Sequence, residues 1–158
     1  MRKLNNPYSK YTNHYCFACS HSNLSGLKLD FYEEGEEIVS FWFPEKQFQG
    51  YHNILHGGIQ ATLIDEIASW VVQVKAKTAG VTASLQVNYR RPVYMDKDKV
   101  TVRATLKEHN KKIAIVSVRL FDSEEVLCTE GEVKYFLFSE NLAKEKLLYP
   151  GFEAFYKE

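Results

Sequence analysis

The sequence predicts an α+β domain in which an antiparallel sheet of five to six strands wraps around one long central helix. Three observations carry this reading. From Gly57 to about Lys77, apolar residues recur at three- and four-residue spacing. Alternating, strand-like segments precede that run twice and follow it four times. The later segments are joined by short polar turns, which makes them antiparallel neighbours. At 158 residues the chain is long enough for a sizeable core, and no repeat, low-complexity tract or linker interrupts it. Residues 1–158 are therefore expected as one domain, with an arm at 1–25 and a tail at 139–158.

In chain order, the arm is polar and aromatic and is expected to lie over the body. Leu27 to Glu33 and Ile38 to Phe43 read as two strands joined by the turn Glu34-Gly35-Glu36, and Pro44 ends the second. A loop holding Gly50 and Asn53 leads to the helix. Ile59, Leu63, Ile67, Trp70, Val71 and Val74 form its apolar stripe, and Ile64, Ala68 and Val72 widen it past half the circumference. Such a helix is covered on most sides. Val81 to Arg90 alternates, with Val81, Ala83, Leu85, Val87 and Tyr89 on one face and Thr82, Ser84, Gln86, Asn88 and Arg90 on the other. Lys99 to Lys107, Ile113 to Phe121 and Val126 to Phe138 complete the sheet. The tail is expected to be helical up to Pro150 and peripheral beyond it.

Composition excludes several classes. Hydrophobic residues make up 45% and charged residues 25%, the balance of a globular chain rather than a disordered one. Twenty basic and twenty acidic side chains cancel, which disfavours a nucleic-acid partner. The longest apolar stretch is broken by Asp65-Glu66, so no membrane span is expected. No signal peptide is visible, and three cysteines fit a reducing compartment; the expected location is cytoplasmic.

The chemistry concentrates in Leu55-His56-Gly57-Gly58-Ile59-Gln60-Ala61-Thr62-Leu63-Ile64-Asp65-Glu66. Paired glycines let a substrate approach bare backbone N–H groups, and the first N–H groups of a helix lack intrahelical partners. A helix start of this kind suits a developing anion. A carboxylate two turns further on supplies a base. Oxyanion donors and a base are the two parts acyl hydrolysis needs.

On these residues the chain resembles the hot-dog-fold acyl-CoA thioesterases of the phenylacetate-pathway (PaaI-like) type. The matching motifs are His56-Gly57-Gly58, Leu63-x-Asp65, Thr82-Ala83-x-Leu85 and Tyr89-Arg90-Arg91-Pro92, together with the arm segment Cys16-Phe17-Ala18-Cys19 through Asn23 to Gly26-Leu27. The resemblance spans residues 16–138. It implies that Asp65 acts as general base or nucleophile, that Thr82 assists it, and that the Gly57 and Gly58 amides hold the oxyanion. His56 contacts the thioester or caps the loop. Asn53 lies where relatives place an amide near the substrate carbonyl. Arg90, Arg91, Lys111 and Lys112 are candidates for the phosphates of coenzyme A.

Glu66 points about 100° away from Asp65 around the helix and is expected as a surface or interface salt-bridge residue. His14, Cys16, Cys19 and His21 are metal-ligand types, but four ligands within eight residues strain a tetrahedron, so no metal is expected and the thiols pack under the arm. The resemblance implies no cofactor, coenzyme A being part of the substrate, and a homo-oligomer, a dimer or a dimer of dimers, with sites between protomers. Two other readings stand beside hydrolysis. Acyl-thioester hydratases of this fold carry a His five residues after the helix Asp, where this chain has Trp70. A hot-dog module that only binds an acyl-CoA is the other.

Overall fold

The computed structural model describes residues 1–157. Its centre is the helix α1, Gly57–Val71, which passes without a break into one π-helical turn, Val72–Ala76, and stops at Lys77 in the left-handed conformation (φ 57°). A π turn leaves carbonyls off the regular ladder. The Gln73 carbonyl accepts a hydrogen bond from the Tyr149 hydroxyl at 2.8 Å, so the irregularity is satisfied by the tail. Leu63, Ile64, Ile67, Ala68 and Val71 are fully buried, as their spacing demands.

Among the described residues the sheet has seven strands: β1 (Arg2–Lys3), β2 (Tyr32–Glu34), β3 (Glu37–Trp42), β4 (Gly80–Tyr89), β5 (Val100–His109), β6 (Ile113–Phe121) and β7 (Leu127–Leu137). Their spatial order is β1-β2-β3-β5-β6-β7-β4, and every pair is antiparallel. This is the hot-dog arrangement, a sheet wrapped on one helix. The strand beyond the expected six is β1, two residues of the arm paired to β2.

Two elements differ from the sequence expectation. Leu27 to Phe31 buries Leu27, Leu29 and Phe31, yet it is broken by Lys28 in the left-handed conformation (φ 56°) and pairs with the arm instead of the sheet. The Leu27 and Leu29 amides donate to the Phe17 and Ala18 carbonyls at 2.9 Å. The tail is helical at Glu140–Leu147 (α2) but is not peripheral afterwards: Tyr149 and Phe155 lie in the core. Among the described residues no helix is long and apolar enough to cross a membrane.

The helix packs closely against Gly131 of β7. A Cβ there would lie 2.5 Å from Cγ2 of Ile64, so the helix axis sits where only a glycine lets it. Gly131→Ala is therefore expected to destabilise the fold by about 1–3 kcal/mol through overpacking. Urea denaturation measures this, and an unchanged midpoint would count against so tight a contact.

Candidate active site

Asp65 lies two turns into α1 and is half-buried. Its Oδ1 accepts hydrogen bonds from Thr82 Oγ1 at 2.9 Å and from the Tyr135 hydroxyl at 3.0 Å, and the same hydroxyl lies 2.9 Å from the Asp65 carbonyl oxygen. Both donors hold one carboxylate oxygen. Among the described residues Oδ2 has no hydrogen-bond partner, so it faces away from the protein's own donors. Burial and the adjacent carboxylate push the Tyr135 hydroxyl well above the usual phenol range, which keeps it a proton donor.

Thr82 reaches Asp65 because the alternation of β4 is broken. A β-bulge lies between Thr82 and Ser84, so Thr82 opposes Tyr135 while Leu85 opposes Val133. Residues directly opposite in an antiparallel pair share a face. Thr82 therefore shares the helix-facing side with Leu85, Val87 and Tyr89, while Val81 opposes Phe136 on the other side. The expected single apolar face from Val81 to Tyr89 is thus corrected: the bulge at Ala83 re-aims Thr82 at the carboxylate.

At the start of α1, His56 is the N-cap residue, and its Nδ1 accepts from the Gly58 amide at 2.9 Å. Of the two expected oxyanion donors, the Gly58 N–H is thereby engaged inside the protein. The Gly57 N–H, at the first helical position, has no acceptor among the described residues. Tyr89 Oη donates to the Gly57 carbonyl at 2.7 Å, and a Cβ on Gly57 would meet the Tyr89 ring at 3.3–3.4 Å. The tyrosine thus fixes the glycine backbone against the neighbouring strand. An adjacent cavity of about 530 Å³ is lined by Gln49, Gly50, Tyr51, Ile54, Leu55, His56 and Gly57.

The remaining candidates separate. Asn53 adopts a left-handed backbone (φ 58°), and its Oδ1 accepts from the Asp96 amide at 2.9 Å, so its side-chain carbonyl shapes the loop. Arg90 and Arg91 both donate backbone N–H to the Cys128 carbonyl, and the Arg90 guanidinium pairs with Glu130 at 2.8 Å. Lys111 and Lys112 occupy the β5–β6 turn, where the Lys112 carbonyl accepts from the Leu137 amide. Cys128 and Leu137 mark opposite ends of β7, so within one chain the arginines and the lysines are not brought together.

Glu66 contradicts its expectation. Among the described residues it forms no salt bridge; it is half-buried beneath the arm, receives a hydrogen bond from Trp70 Nε1 at 3.2 Å and sits 3.8 Å from Cys16 Sγ. Burial, with the Cys16 sulfur beside it, pushes its carboxyl up to about 7. The 100° step between neighbouring helix positions sends Asp65 to β4 and Glu66 to the arm. Tyr135 is the site residue that sequence reasoning missed. Its signal was a hydroxyl on the inward face of a strand, since a buried tyrosine hydroxyl needs a partner.

The chain matches the thioesterase superfamily over residues 52–129, a span running from the loop before α1 to β7. No curated protein matches it. Among solved structures it is similar to a thioesterase from Haemophilus influenzae (23% identity over 77% of this chain and 85% of that one, TM-score 0.68). It is also similar to the PaaI protein of the Escherichia coli phenylacetic acid degradation operon (16% identity, 72% and 82% covered, TM-score 0.65). A Streptococcus mutans protein bound to acetyl-CoA shares the fold as well (16% identity, 71% and 90% covered, TM-score 0.65).

Proposed function

We propose, from the match to the thioesterase superfamily over residues 52–129, that the chain hydrolyses an acyl-CoA thioester to the free acid and coenzyme A, with Asp65 as the catalytic carboxylate. The observation that carries this reading is the pair of hydroxyls on Asp65 Oδ1, which leaves Oδ2 open. A carboxylate anchored through one oxygen has a fixed direction for the other, and a base must lie within hydrogen-bond reach of the proton it takes. Oδ2 either takes a proton from water as it attacks the thioester carbonyl or attacks that carbonyl itself, the thiolate of coenzyme A leaving in both cases; in the second, water then cleaves the acyl–Asp65 anhydride to the free acid and restores the carboxylate. Thr82 and Tyr135 orient the carboxylate. The acetyl-CoA in the S. mutans relative supports the ligand class.

The oxyanion donor belongs to a second copy of the chain. Eight residues separate Gly57 from Asp65, which at 1.5 Å per residue is about 12 Å along the helix. One carbonyl carbon cannot be within reach of both. The Gly57 amide of one protomer, set beside Asp65 of another, would close the gap. The edge strand β4 supports such a pairing: it is ten residues long, unpaired on its outer side, and exposes Val81, Leu85 and Tyr89. Long apolar edges of this kind pair with another strand or aggregate. Pairing two copies would also bring the separated basic groups, Arg90 and Arg91 of one and Lys111 and Lys112 of the other, toward a common site for coenzyme A phosphates.

The engagement of the Gly58 amide by His56 favours a second reading, an acyl-CoA-binding module without turnover. The two separate in one assay. Free-thiol release is measured from short, long and aromatic acyl-CoAs with the purified protein. Turnover of at least one member is expected. Binding of an acyl-CoA with no thiol released from any would replace hydrolysis by the binding module.

A further inference from the structure

A cluster under the arm, about 100° round α1 from Asp65, takes no part in this chemistry. We infer that Cys16, Cys19 and Glu66 form a site for one zinc ion that fastens the arm to the central helix, with His14 on the lining of the same cavity as the residue that would complete it. The ligand atoms of Cys16, Cys19 and Glu66 all lie within 4.8 Å of one another. Around a tetrahedral zinc with Zn–S of about 2.3 Å and Zn–O of about 2.0 Å, neighbouring ligand atoms stand about 3.5–3.8 Å apart. Cys16 Sγ lies 3.8 Å from each Glu66 oxygen, so the spacing needs little adjustment.

The outer contacts are those a metal site requires. The Cys19 amide donates to Cys16 Sγ at 3.4 Å, and Trp70 Nε1 orients the Glu66 carboxylate at 3.2 Å. The second, independent observation is His14. Its Nε2 is buried with no hydrogen-bond partner among the described residues, although its ring stacks on Tyr8. A buried ring nitrogen without a partner is costly unless something occupies it. His14 lines the same open cavity, about 270 Å³, as Cys16, Cys19 and Glu66.

The steric objection to a metal in the sequence concerned four ligands within one short segment. The structure assembles a different set. His21 departs to Asp30, 3.4 Å away, and Glu66 joins from the helix. Ligands then come from two elements, and two thiolates with a carboxylate suit zinc among the common divalent ions.

The test uses the whole chain, reduced, stripped with a chelator and titrated with Co²⁺ and then Zn²⁺. One equivalent of Co²⁺ is expected to give thiolate-to-cobalt charge transfer with the visible bands of a tetrahedral site, bleached by one equivalent of Zn²⁺. Cys16→Ser should abolish the charge transfer or weaken binding at least tenfold, while Cys128→Ser, on β7, keeps it. His14→Ala should weaken Zn²⁺ binding roughly 10- to 100-fold, the scale of losing one supporting group. Wild-type protein with three titratable thiols and no cobalt spectrum would overturn the site. So would a Cys16–Cys19 disulfide in the protein as isolated, which would make the pair a redox element.

Discussion

Asp65→Asn is expected to lower kcat by about 10²- to 10⁴-fold while leaving KM within a few-fold, the loss general-base chemistry typically carries. In free-energy terms this is about 3–5 kcal/mol of transition-state stabilisation. Asn keeps the volume and can still accept from Thr82 and Tyr135 through its amide oxygen, so the site geometry persists while the basic oxygen becomes an amide nitrogen. A kcat effect without a KM effect marks an interaction made only in the transition state. Tyr135→Phe and Thr82→Val test the supporting shell. Each removes one of the two hydroxyls on Oδ1 and should cost less than Asp65→Asn, with the tyrosine change also costing stability because it leaves the Asp65 carbonyl with one donor fewer. Steady-state kinetics on the best substrate of the acyl-CoA panel reads all three. A mild Asp65→Asn effect, equal to that of Thr82→Val, would remove Asp65 from its role.

Much of this geometry was legible before the structure, and the reasons for the gaps are physical. Hydrophobic period alone located α1, because Leu63, Ile64, Ile67 and Ala68 have no other way to be buried together. The later strands were legible for the same reason: β6 alternates in burial along its length, and Val100, Val102 and Ala104 of β5 are buried. The bulge at Ala83 was not. Alternation read from sequence assumes an unbroken two-residue period, and one extra residue exchanges the faces before and after it. Thr82 was therefore assigned to the site by motif but to the wrong face by pattern. Leu27 to Phe31 carried a genuine strand pattern, yet its amides were claimed by Phe17 and Ala18 of the arm, a choice made by tertiary contacts. Glu66 was misread because a charged residue beside another on a helix is usually exposed. Nothing local announced that the arm would fold over it.

The largest stability effect is expected at a residue placed by sequence in a peripheral tail. Phe155 is fully buried, its ring edge-on to Trp70 with centroids 5.2 Å apart and within 6.4 Å of Tyr8 and Tyr149. Trp70 in turn stacks on Phe31 at 4.2 Å, so one aromatic chain links the tail, the helix, the arm and the segment before β2. The Phe155 carbonyl also accepts from the Asn5 amide at 2.8 Å. Phe155→Ala removes the ring from the middle of that chain and leaves a cavity its rigid neighbours cannot fill, a loss of about 3–5 kcal/mol. For a chain of this size that corresponds to a fall in Tm of about 6–20 °C. Leu142→Ala, on the exposed side of α2, should change stability by less than about 0.5 kcal/mol and serves as the comparison. Both are read by thermal denaturation at one protein concentration, because assembly of copies makes Tm depend on concentration. A fall in Tm of under about 2 °C for Phe155→Ala would mean that the tail leaves the core at little cost. The helix, sheet and Asp65 site would then stand without the tail, and the fold would end at β7.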